Sequence, residues 1–391
     1  MSVKPRVAVV MSRLSRHIDP HASWLDGLRA ALRWIKAEHQ TLVSVQGTAG
    51  CDVLCRAAFR LQIPCEILEF ISSAGDSFDD SRIDPAALPA PDRQLLNSVS
   101  TILALRIRTN GNIHRGLRQA LSAGKQVILI DLPDLHSIIV RDDLIARGAS
   151  LWKPGACQSA PLDGATNCSI KEVAFPTTYE VVPFPPEDWC YLSHTTRACA
   201  GPWPRQELPD YLDSLLECSP DADHSAAATL QRIISQRRLI ASGRTIRQGH
   251  EVVCLTAVPL QDLPRLRRFQ THRSRWDFEP FGLCINRKWL EGRGVRPVIY
   301  GTERSWSLLK ESDRPFFQRV HDHETASPSQ TAIDWSRERE WRHVGDLNLD
   351  TLPQDQGLVF VPDSATLRRI ARISPWPITI LQETDSPKKL S

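Results

Sequence analysis

Short apolar segments alternate with amphipathic ones along the first third of the chain. Arg6–Met11 and Thr41–Val45 are apolar runs of strand length, and Ser23–Ala37 between them places its large apolar residues at helical spacing. Short apolar strands separated by helices are typical of a parallel sheet that is covered on both faces. The pattern therefore predicts a Rossmann-like α/β domain. Its remaining strands are expected at Cys65–Phe70, Thr101–Ile107 and Gln126–Asp131.

The second half of the chain has a different pattern. Glu207–Glu217 and Ala226–Arg238 are amphipathic and predict helices, whereas most other apolar runs are short and irregularly spaced. Because the predicted strands outnumber the helices and do not alternate with them, this half is expected to be an α+β domain. The expected strands are Val252–Pro259, Phe281–Ile285, Arg296–Gly301, Glu340–Leu349, Gly357–Val361 and Pro377–Leu381.

A segment rich in proline, glycine, serine and threonine separates the two halves. A chain of 391 residues is too long for one ordinary domain and fits two. The turn-forming clusters around residues 148–180 have the composition of a linker. We therefore predict a nucleotide-binding domain at 1–155, a linker at 156–185, an effector domain at 186–384 and a disordered tail at 385–391.

Composition places the chain among soluble globular proteins. Hydrophobic residues make up 41% and charged residues 24%, and the net charge is only +3, so bulk electrostatics do not favour a polyanion partner. Ten cysteines occur without a C-x-x-C pair or a zinc-ligand spacing, which indicates reduced thiols. No long apolar run follows the N-terminus, so we expect a cytoplasmic protein without signal peptide or membrane partner.

Two turns in the first domain, Gly47–Gly50 and Asn110–Asn112, lie between a predicted strand and a predicted helix. Glycine lets the backbone approach a phosphate, and a helix N-terminus supplies free N–H groups and partial positive charge. Ligands of open α/β sheets bind at this end of the strands. The alternative is that these glycines only form tight turns.

The string Thr41–Asp52, followed by Arg56–Ala58 and Cys65–Leu68, resembles the SLOG superfamily. That superfamily includes the DNA-processing proteins and the LOG/lysine-decarboxylase-like nucleotide-binding proteins. The resemblance covers roughly residues 5–135 and implies a nucleotide or nucleotide-derived signal as ligand. The acid pattern of the LOG phosphoribohydrolases is not evident, which favours sensing over catalysis here. The residues that the resemblance assigns to nucleotide binding are Ser12, Arg13, Gly47, Thr48, Gly50, Asn110 and Gly111.

Glu338 and Glu340 alternate with arginines between Trp335 and Trp341. On a strand, side chains two residues apart share a face, so the two glutamates are expected to point the same way. Two converging carboxylates suit acid/base chemistry or the stabilisation of a cation. The alternative is an edge strand whose glutamates are paired with arginines and solvated.

The order of elements around these glutamates resembles the ADP-ribosyltransferase fold. The resemblance implies that His194, with Thr195 or Arg197, holds the ribose of NAD and that Thr256 shapes the pocket. Glu338 or Glu340 would then stabilise the ribose cation that forms when nicotinamide leaves. NAD is thus the expected substrate and no metal is expected. His194 has an alternative role, which is to cap a helix or bind a core carbonyl. The segment also resembles poorly characterised bacterial families similar to abortive-infection proteins.

Arginines are concentrated between Arg265 and Arg275, where Phe269 and Trp276 are interleaved with them. Such a stretch suits a phosphate backbone with exposed bases. Pairing of the arginines with Asp262, Asp277 and Glu279 is the alternative.

Three functional hypotheses follow. The first is a bacterial anti-phage or stress defence effector, in which nucleotide sensing controls a domain that consumes NAD or transfers ADP-ribose. The second is a nucleic-acid-binding protein or metal-dependent nuclease that uses Glu338, Glu340 and the stretch from Arg265 to Arg275. The third is a non-catalytic sensor or adaptor. A protein or nucleic-acid target and a homo-oligomeric state are compatible with all three.

Overall fold

The computed structural model describes residues 5–14, 17–69, 88–155, 190–244, 246–270, 275–320 and 335–381. These residues form two compact units. The first unit contains the described residues before 156 together with Ala200–Asp223. The second contains residues 190–199 and the described residues from His224 onward. The predicted linker lies outside the described residues, as does the predicted tail. No helix within the described ranges is both long and apolar enough to cross a membrane.

Six parallel strands form the sheet of the first unit, in the order β3-β2-β1-β4-β5-β6. Helices cover both of its faces, so the predicted Rossmann-like α/β fold is confirmed. The strands are β1 (Arg6–Met11), β2 (Thr41–Val45), β3 (Cys65–Leu68), β4 (Thr101–Arg106), β5 (Gln126–Ile130) and β6 (Ser150–Trp152). The helices are α1 (Ser23–Ala37), α2 (Cys51–Leu61), α3 (Ala90–Asn97), α4 (Asn112–Ser122) and α5 (Ile138–Ala146).

The central strand β1 is apolar along its whole length because both of its faces are buried. Val7 and Val9 point into one core with Leu28 of α1, whereas Ala8 and Val10 point into the other core. Alternate side chains of a strand point to opposite faces, so a strand between two helical layers needs apolar residues at every position. This is why a continuous apolar run, rather than an alternating one, predicted the strand.

A sixth helix, α6 (Leu208–Glu217), belongs to the first unit although the sequence pattern placed it in the second domain. Its buried Tyr211 and Leu215 lie in the same core as α1 and α2. Asp213 accepts hydrogen bonds from Arg56 of α2 at 2.7 Å and binds Arg60 at 3.0 Å. The amphipathic pattern shows that the helix has a face to bury, but it does not say against which surface.

A mixed sheet of seven strands forms the second unit, in the order β13-β16-β9-β7-β12-β18-β19. Only β18 and β19 pair in parallel within this sheet. The predicted α+β class is therefore confirmed. The strands are β7 (Tyr191–Thr195), β9 (Val252–Thr256), β12 (Gly282–Asn286), β13 (Arg296–Pro297), β16 (Glu340–Val344), β18 (Gly357–Val361) and β19 (Ile378–Ile380).

Smaller elements surround this sheet. Three two-stranded ribbons pair β8 (Arg238–Leu239) with β17 (Leu347–Asn348), β10 (Arg268–Gln270) with β11 (Arg275–Asp277), and β14 (Ile299–Gly301) with β15 (Phe317–Arg319). The helices are α7 (Ala226–Gln236), α8 (Leu263–Leu266), α9 (Arg287–Glu291), α10 (Glu303–Leu308) and α11 (Ser364–Ala371). Turns of 3-10 helix occur at Pro220–Ala222, Arg247–Gly249, Leu260–Asp262, Glu311–Phe316, Trp335–Glu338 and Gln354–Gln356.

Candidate functional site

The strand order of the first unit reverses between β1 and β4. The chain moves outward from β1 through β2 to β3, and then returns to the other side of β1 to form β4. Loops on the two sides of such a point diverge, and the crevice that they leave at the carboxyl ends of the strands is where open α/β sheets bind ligands. The loops that follow β1, β2 and β4 contain all of the residues that the sequence predicted to bind a nucleotide.

Ser12 joins the loop after β1 to the loop after β4. Its backbone N–H donates to the carbonyl oxygen of Arg106 at 2.7 Å, and its hydroxyl oxygen accepts from the backbone N–H of Arg108 at 2.9 Å. The residue is almost fully buried. Ser12 therefore fixes the two loops relative to each other, which is a positioning role in the predicted site.

The loop after β2 requires glycine for two different reasons. Gly47 and Gly50 both have positive φ angles, of +86° and +81°, in the left-handed region that other residues seldom adopt. At Gly50 a side chain would also lie 2.7 Å from the sulfur of Met11, at the end of β1. Thr48 closes the loop by donating its hydroxyl to the carbonyl of Val45 at 2.7 Å. The N-terminus of α2 is thereby held next to the end of β1.

The loop after β4 is held by a histidine that was not among the predicted site residues. Asn110, with a φ of +56°, donates its backbone N–H to Nδ1 of His114 at 3.1 Å. Since Nδ1 is the acceptor, Nε2 carries the proton and donates to Asp143 at 2.9 Å. His114 is buried in the first turns of α4, four residues after Asn110 and three after Gly111. The available sequence signal was a histidine at the start of a predicted helix. The direction in which its side chain points depends on tertiary packing, which the sequence pattern does not show.

Three arginines lie at the carboxyl ends of the two strands that border the crevice. Met11 is paired with Arg106 in the sheet, Arg13 follows Met11 by two residues, and Arg108 follows Arg106 by two. Arg13 and Arg108 are exposed, and no carboxylate among the described residues pairs with any of the three. The uncompensated positive charge and the N-termini of α2 and α4 all favour an anion at this edge.

The structure brings together only three of the four residues that were predicted to be catalytic in the second unit, and the exception is His194. Thr256 lies opposite both Ser193 and Glu340 in the sheet, so Thr256 and Glu340 share a face. His194 follows Ser193 and therefore points to the other face, towards Leu283. A strand reverses its side chains at every residue, so His194 cannot converge with Thr256 and Glu340 across a single sheet.

The two residues predicted to bind substrate differ in their position relative to His194: Thr195 faces the other side of the sheet, and Arg197 is near enough that, besides burial, its charge helps to lower the pKa of His194. Thr195 alternates with His194 along β7 and lies on the same face as Thr256. Arg197 is beyond the end of β7, where its guanidinium lies 3.6 Å from the carboxylate of Asp277.

His194 takes the alternative role that the sequence allowed. Its Nδ1–H donates to the carbonyl oxygen of Cys254 on the neighbouring strand at 2.9 Å. Burial lowers the pKa of His194 from 6.5 to about 4, and the bond to Cys254 opposes this shift only in part. The imidazole is therefore neutral at physiological pH and bridges two central strands.

The pKa of His194 predicts how the stability of the second unit depends on pH. The unfolded chain binds a proton near pH 6.5 and the folded chain only near pH 4, so protonation favours unfolding between these values. We expect His194 alone to lower the free energy of unfolding by about 2–3 kcal/mol as pH drops from 7 to 4. Urea denaturation at several pH values measures this loss. His194→Gln should flatten that dependence, and an equally steep profile in the variant would contradict the assignment.

The two glutamates do not alternate on one strand, so that prediction is wrong. Glu338 ends a 3-10 turn, and Arg339 has a φ of +44°, which breaks the backbone just before β16 begins at Glu340. Glu338 binds Arg268 at 3.1 Å, and both carboxylate oxygens of Glu340 accept bonds from Arg342. Of the alternative interpretation, the pairing of both glutamates with arginines is confirmed. Its other part is wrong, because β16 lies between β13 and β9 and is not an edge strand, and the side chain of Glu340 is only 15% exposed.

The stretch from Arg265 to Arg275 is a short helix followed by the β10–β11 ribbon. Arg265 binds Asp262 at 2.8 Å and Arg275 binds Asp277 at 3.2 Å, as the alternative interpretation of this stretch predicted. Residues 271–274 lie outside the described ranges. No group of three or more histidine, cysteine or acidic side chains that could hold a metal ion occurs in the described parts of the chain.

Comparison with known proteins gives partial structural likenesses only. No family model matches the sequence, and no curated protein matches it either. DNA processing protein A of Streptococcus pneumoniae shares 18% identity over 39% of this chain, with a TM-score of 0.28, and this chain covers 59% of its length. The molybdenum cofactor binding protein of Rippkaea orientalis shares 13% identity over 39% of this chain and 90% of its own, with a TM-score of 0.29. The molybdenum cofactor carrier protein of Chlamydomonas reinhardtii shares 11% identity over 39% and 91%, with a TM-score of 0.29.

Proposed function

We propose that the first unit binds a nucleotide or nucleotide-derived signal, with its phosphates in the crevice between β1 and β4. The observation that carries the proposal is the set of three arginines without a carboxylate partner among the described residues, Arg13, Arg106 and Arg108. Neighbouring arginines of this unit are neutralised, since Arg147 binds Asp143 and Arg141 binds Asp131. Positive charge left uncompensated at the ligand-binding edge of an open α/β sheet suits a phosphorylated ligand.

The surrounding loops fit the same ligand. The backbone at Gly47 is open, because the nearest atom to a side chain there would be 3.8 Å away, on Pro91. An open glycine in a loop before a helix lets the backbone N–H groups approach a phosphate. Asn110 and Gly111 place the N-terminus of α4 on the other side of β1. Because Arg13 and Arg108 are exposed, their guanidinium groups can each make two parallel hydrogen bonds to phosphate oxygens.

Replacing Arg13 or Arg108 by glutamine is expected to weaken nucleotide binding about tenfold each, because a charge-assisted hydrogen bond is lost. Calorimetric titration of the full-length chain with ADP, AMP and adenosine at low ionic strength measures the effect. Affinity should fall from ADP to adenosine as phosphates are removed, and it should fall with added salt.

Lys36→Gln is the matched control for this titration. Lys36 is exposed in the last turn of α1, which is at the amino end of β2 and so away from the crevice. Its substitution removes the same charge as the arginine substitutions. Equal affinity for ADP and adenosine, or equal losses in Lys36→Gln and Arg108→Gln, would refute the proposed site. Undetectable binding of all three probes would also count against the proposal.

The finer parts of the functional hypothesis stay predictions. Consumption of NAD by the second unit and control of that unit by the first are tested by nicotinamide release from NAD, with and without nucleotides, whereas a defence role is a separate prediction that this assay does not address. Glu338→Gln is the informative variant for that assay, since Glu338 is a partly exposed residue whose ion pair with Arg268 lies near the surface. The separation of His194 from Thr256 and Glu340 gives the transferase geometry no support.

A further inference from the structure

An open depression on the second unit is lined by more positive than negative charge. It has a volume of about 740 Å³, within the size range of small-molecule sites. Its charged side chains are Arg244, Arg247, Glu303 and Arg319, so three guanidinium groups face one carboxylate. The net charge of these four side chains is +2 at a concave surface.

One of the three arginines is held rigidly. The guanidinium of Arg247 makes two hydrogen bonds to the carboxylate of Glu303, at 2.8 Å and 2.5 Å, and lies 4.2 Å from the ring centre of Trp306. A guanidinium that is fixed by a carboxylate and an aromatic ring loses little freedom when it contacts a ligand. Arg247 with Glu303 is thus a preformed wall of the depression.

The other two arginines are available to a ligand. Arg244 is exposed and has no carboxylate partner among the described residues. Arg319 is 4.0 Å from Glu303, at the limit of an ion pair, and its side chain is 62% exposed. Glu303 is already occupied by two bonds from Arg247, so it neutralises Arg319 only weakly.

We propose that this depression is a second anion site, separate from the crevice of the first unit, for a small molecule that carries a doubly charged phosphoryl group. A phosphomonoester carries about −1.5 to −2 at neutral pH, which matches the net charge of +2. Bidentate contacts from guanidinium groups suit the oxygens of that group. The volume exceeds what a phosphate alone needs, and Phe317 and Ile246 line the space for an uncharged remainder.

The depression is also linked to a buried ion pair of the unit. Gln318 lines the depression, and its side-chain oxygen accepts a hydrogen bond from buried Arg342 at 2.8 Å. The depression is therefore one side chain away from the ion pair of Arg342 with Glu340.

Binding of inorganic pyrophosphate to the full-length Arg13→Gln/Arg108→Gln chain tests this proposal, because those substitutions weaken the crevice of the first unit. Arg244→Gln and Arg319→Gln in that background are each expected to weaken pyrophosphate binding about tenfold at constant ionic strength. Glu303→Gln removes the opposing charge but keeps one side-chain oxygen that can accept a hydrogen bond from Arg247, so it is expected to strengthen binding severalfold. Arg368→Gln, an exposed arginine on α11 outside the depression, should leave the affinity unchanged.

The Arg368→Gln control separates a site from general charge attraction, because general attraction would respond equally to the loss of any exposed arginine. Absence of pyrophosphate binding in the Arg13→Gln/Arg108→Gln chain would overturn the proposal. Equal losses in Arg244→Gln and Arg368→Gln would overturn it too. Neither result would bear on the crevice, because that site is measured with ADP in the chain that retains Arg13 and Arg108.

Discussion

Replacement of Glu340 by glutamine is expected to lower the free energy of unfolding of the second unit by about 3–5 kcal/mol. Glu340 is the only carboxylate, among the described residues, that binds the guanidinium of Arg342, which is 1% exposed. With glutamine at position 340, the guanidinium stays buried and charged but loses its countercharge. Breaking one side of a buried pair costs more than the pair itself contributes, since the other charge cannot return to water.

The environment of Arg342 allows no easy relaxation. Its five N–H groups have five acceptors: two oxygens of Glu340, the carbonyls of Pro315 and Phe317, and the side-chain oxygen of Gln318. The arginine thus fastens the segment around β15 to the strand β16. Loss of the ion pair is therefore expected to loosen that segment as well as the sheet.

Urea denaturation followed by circular dichroism measures this effect, with Glu291→Gln as the control. Glu291 binds Arg287 at 2.8 Å on the surface, where loss of a pair costs at most about 1 kcal/mol. The double change Glu340→Leu/Arg342→Met removes both charges and should regain much of the lost stability. A loss below 1 kcal/mol in Glu340→Gln would show that the pair is not critical.

Substitution of Gly282 by alanine is expected to destabilise the same unit by about 3 kcal/mol or more. Gly282 begins β12 and lies directly opposite Thr195 of β7 and Phe360 of β18. A methyl group at this position would lie 2.2 Å from the carbonyl oxygen of His194 and 2.4 Å from the ring of Phe360. The carbonyl belongs to a central strand, so relief requires β7 and β12 to separate.

Gly292→Ala is the matched control for this substitution, because Gly292 has an ordinary backbone conformation and its nearest neighbours would be at van der Waals distance, 3.5 Å. Its effect should stay within about 0.5 kcal/mol. Unfolding midpoints in urea compare the two variants with the parent chain. Equal midpoints for Gly282→Ala and Gly292→Ala would show that the strands accommodate the added methyl group.

The fold could be predicted from the sequence where local pattern and burial agree. The run Arg6–Met11 is apolar throughout because both faces of β1 are covered, and the ranges predicted for β1, β2 and α1 coincide with the observed ones. The positions of the glycine loops also follow from the pattern, because Gly47 and Gly50 need backbone angles that few other residues adopt.

The sites were predicted less well, because they depend on which face of the sheet a side chain points to and on which residues it contacts in the folded chain. The order of His194, Thr256 and Glu340 along the chain resembled a catalytic set, but a one-residue difference in register places His194 on the other face of the sheet. The left-handed conformation of Arg339, which removes Glu338 from the strand, has no signal in a run of alternating charges. His114 was missed since its partners, Asn110 and Asp143, converge only in the folded chain.

The placement of α6 has a consequence for how the protein is made. The helix that completes the core of the first unit lies after the first strand of the second unit, β7, in the order in which a ribosome produces them. The first unit therefore cannot finish folding until residues up to Glu217 have left the exit tunnel of the ribosome. During this time β7 has no strand to pair with, because its partner strands are synthesised later. A protein fragment that ends at residue 155 would lack α6 and would expose the core surface that this helix covers. A fragment in which residues 200–223 are joined to residue 155 would contain the helix again.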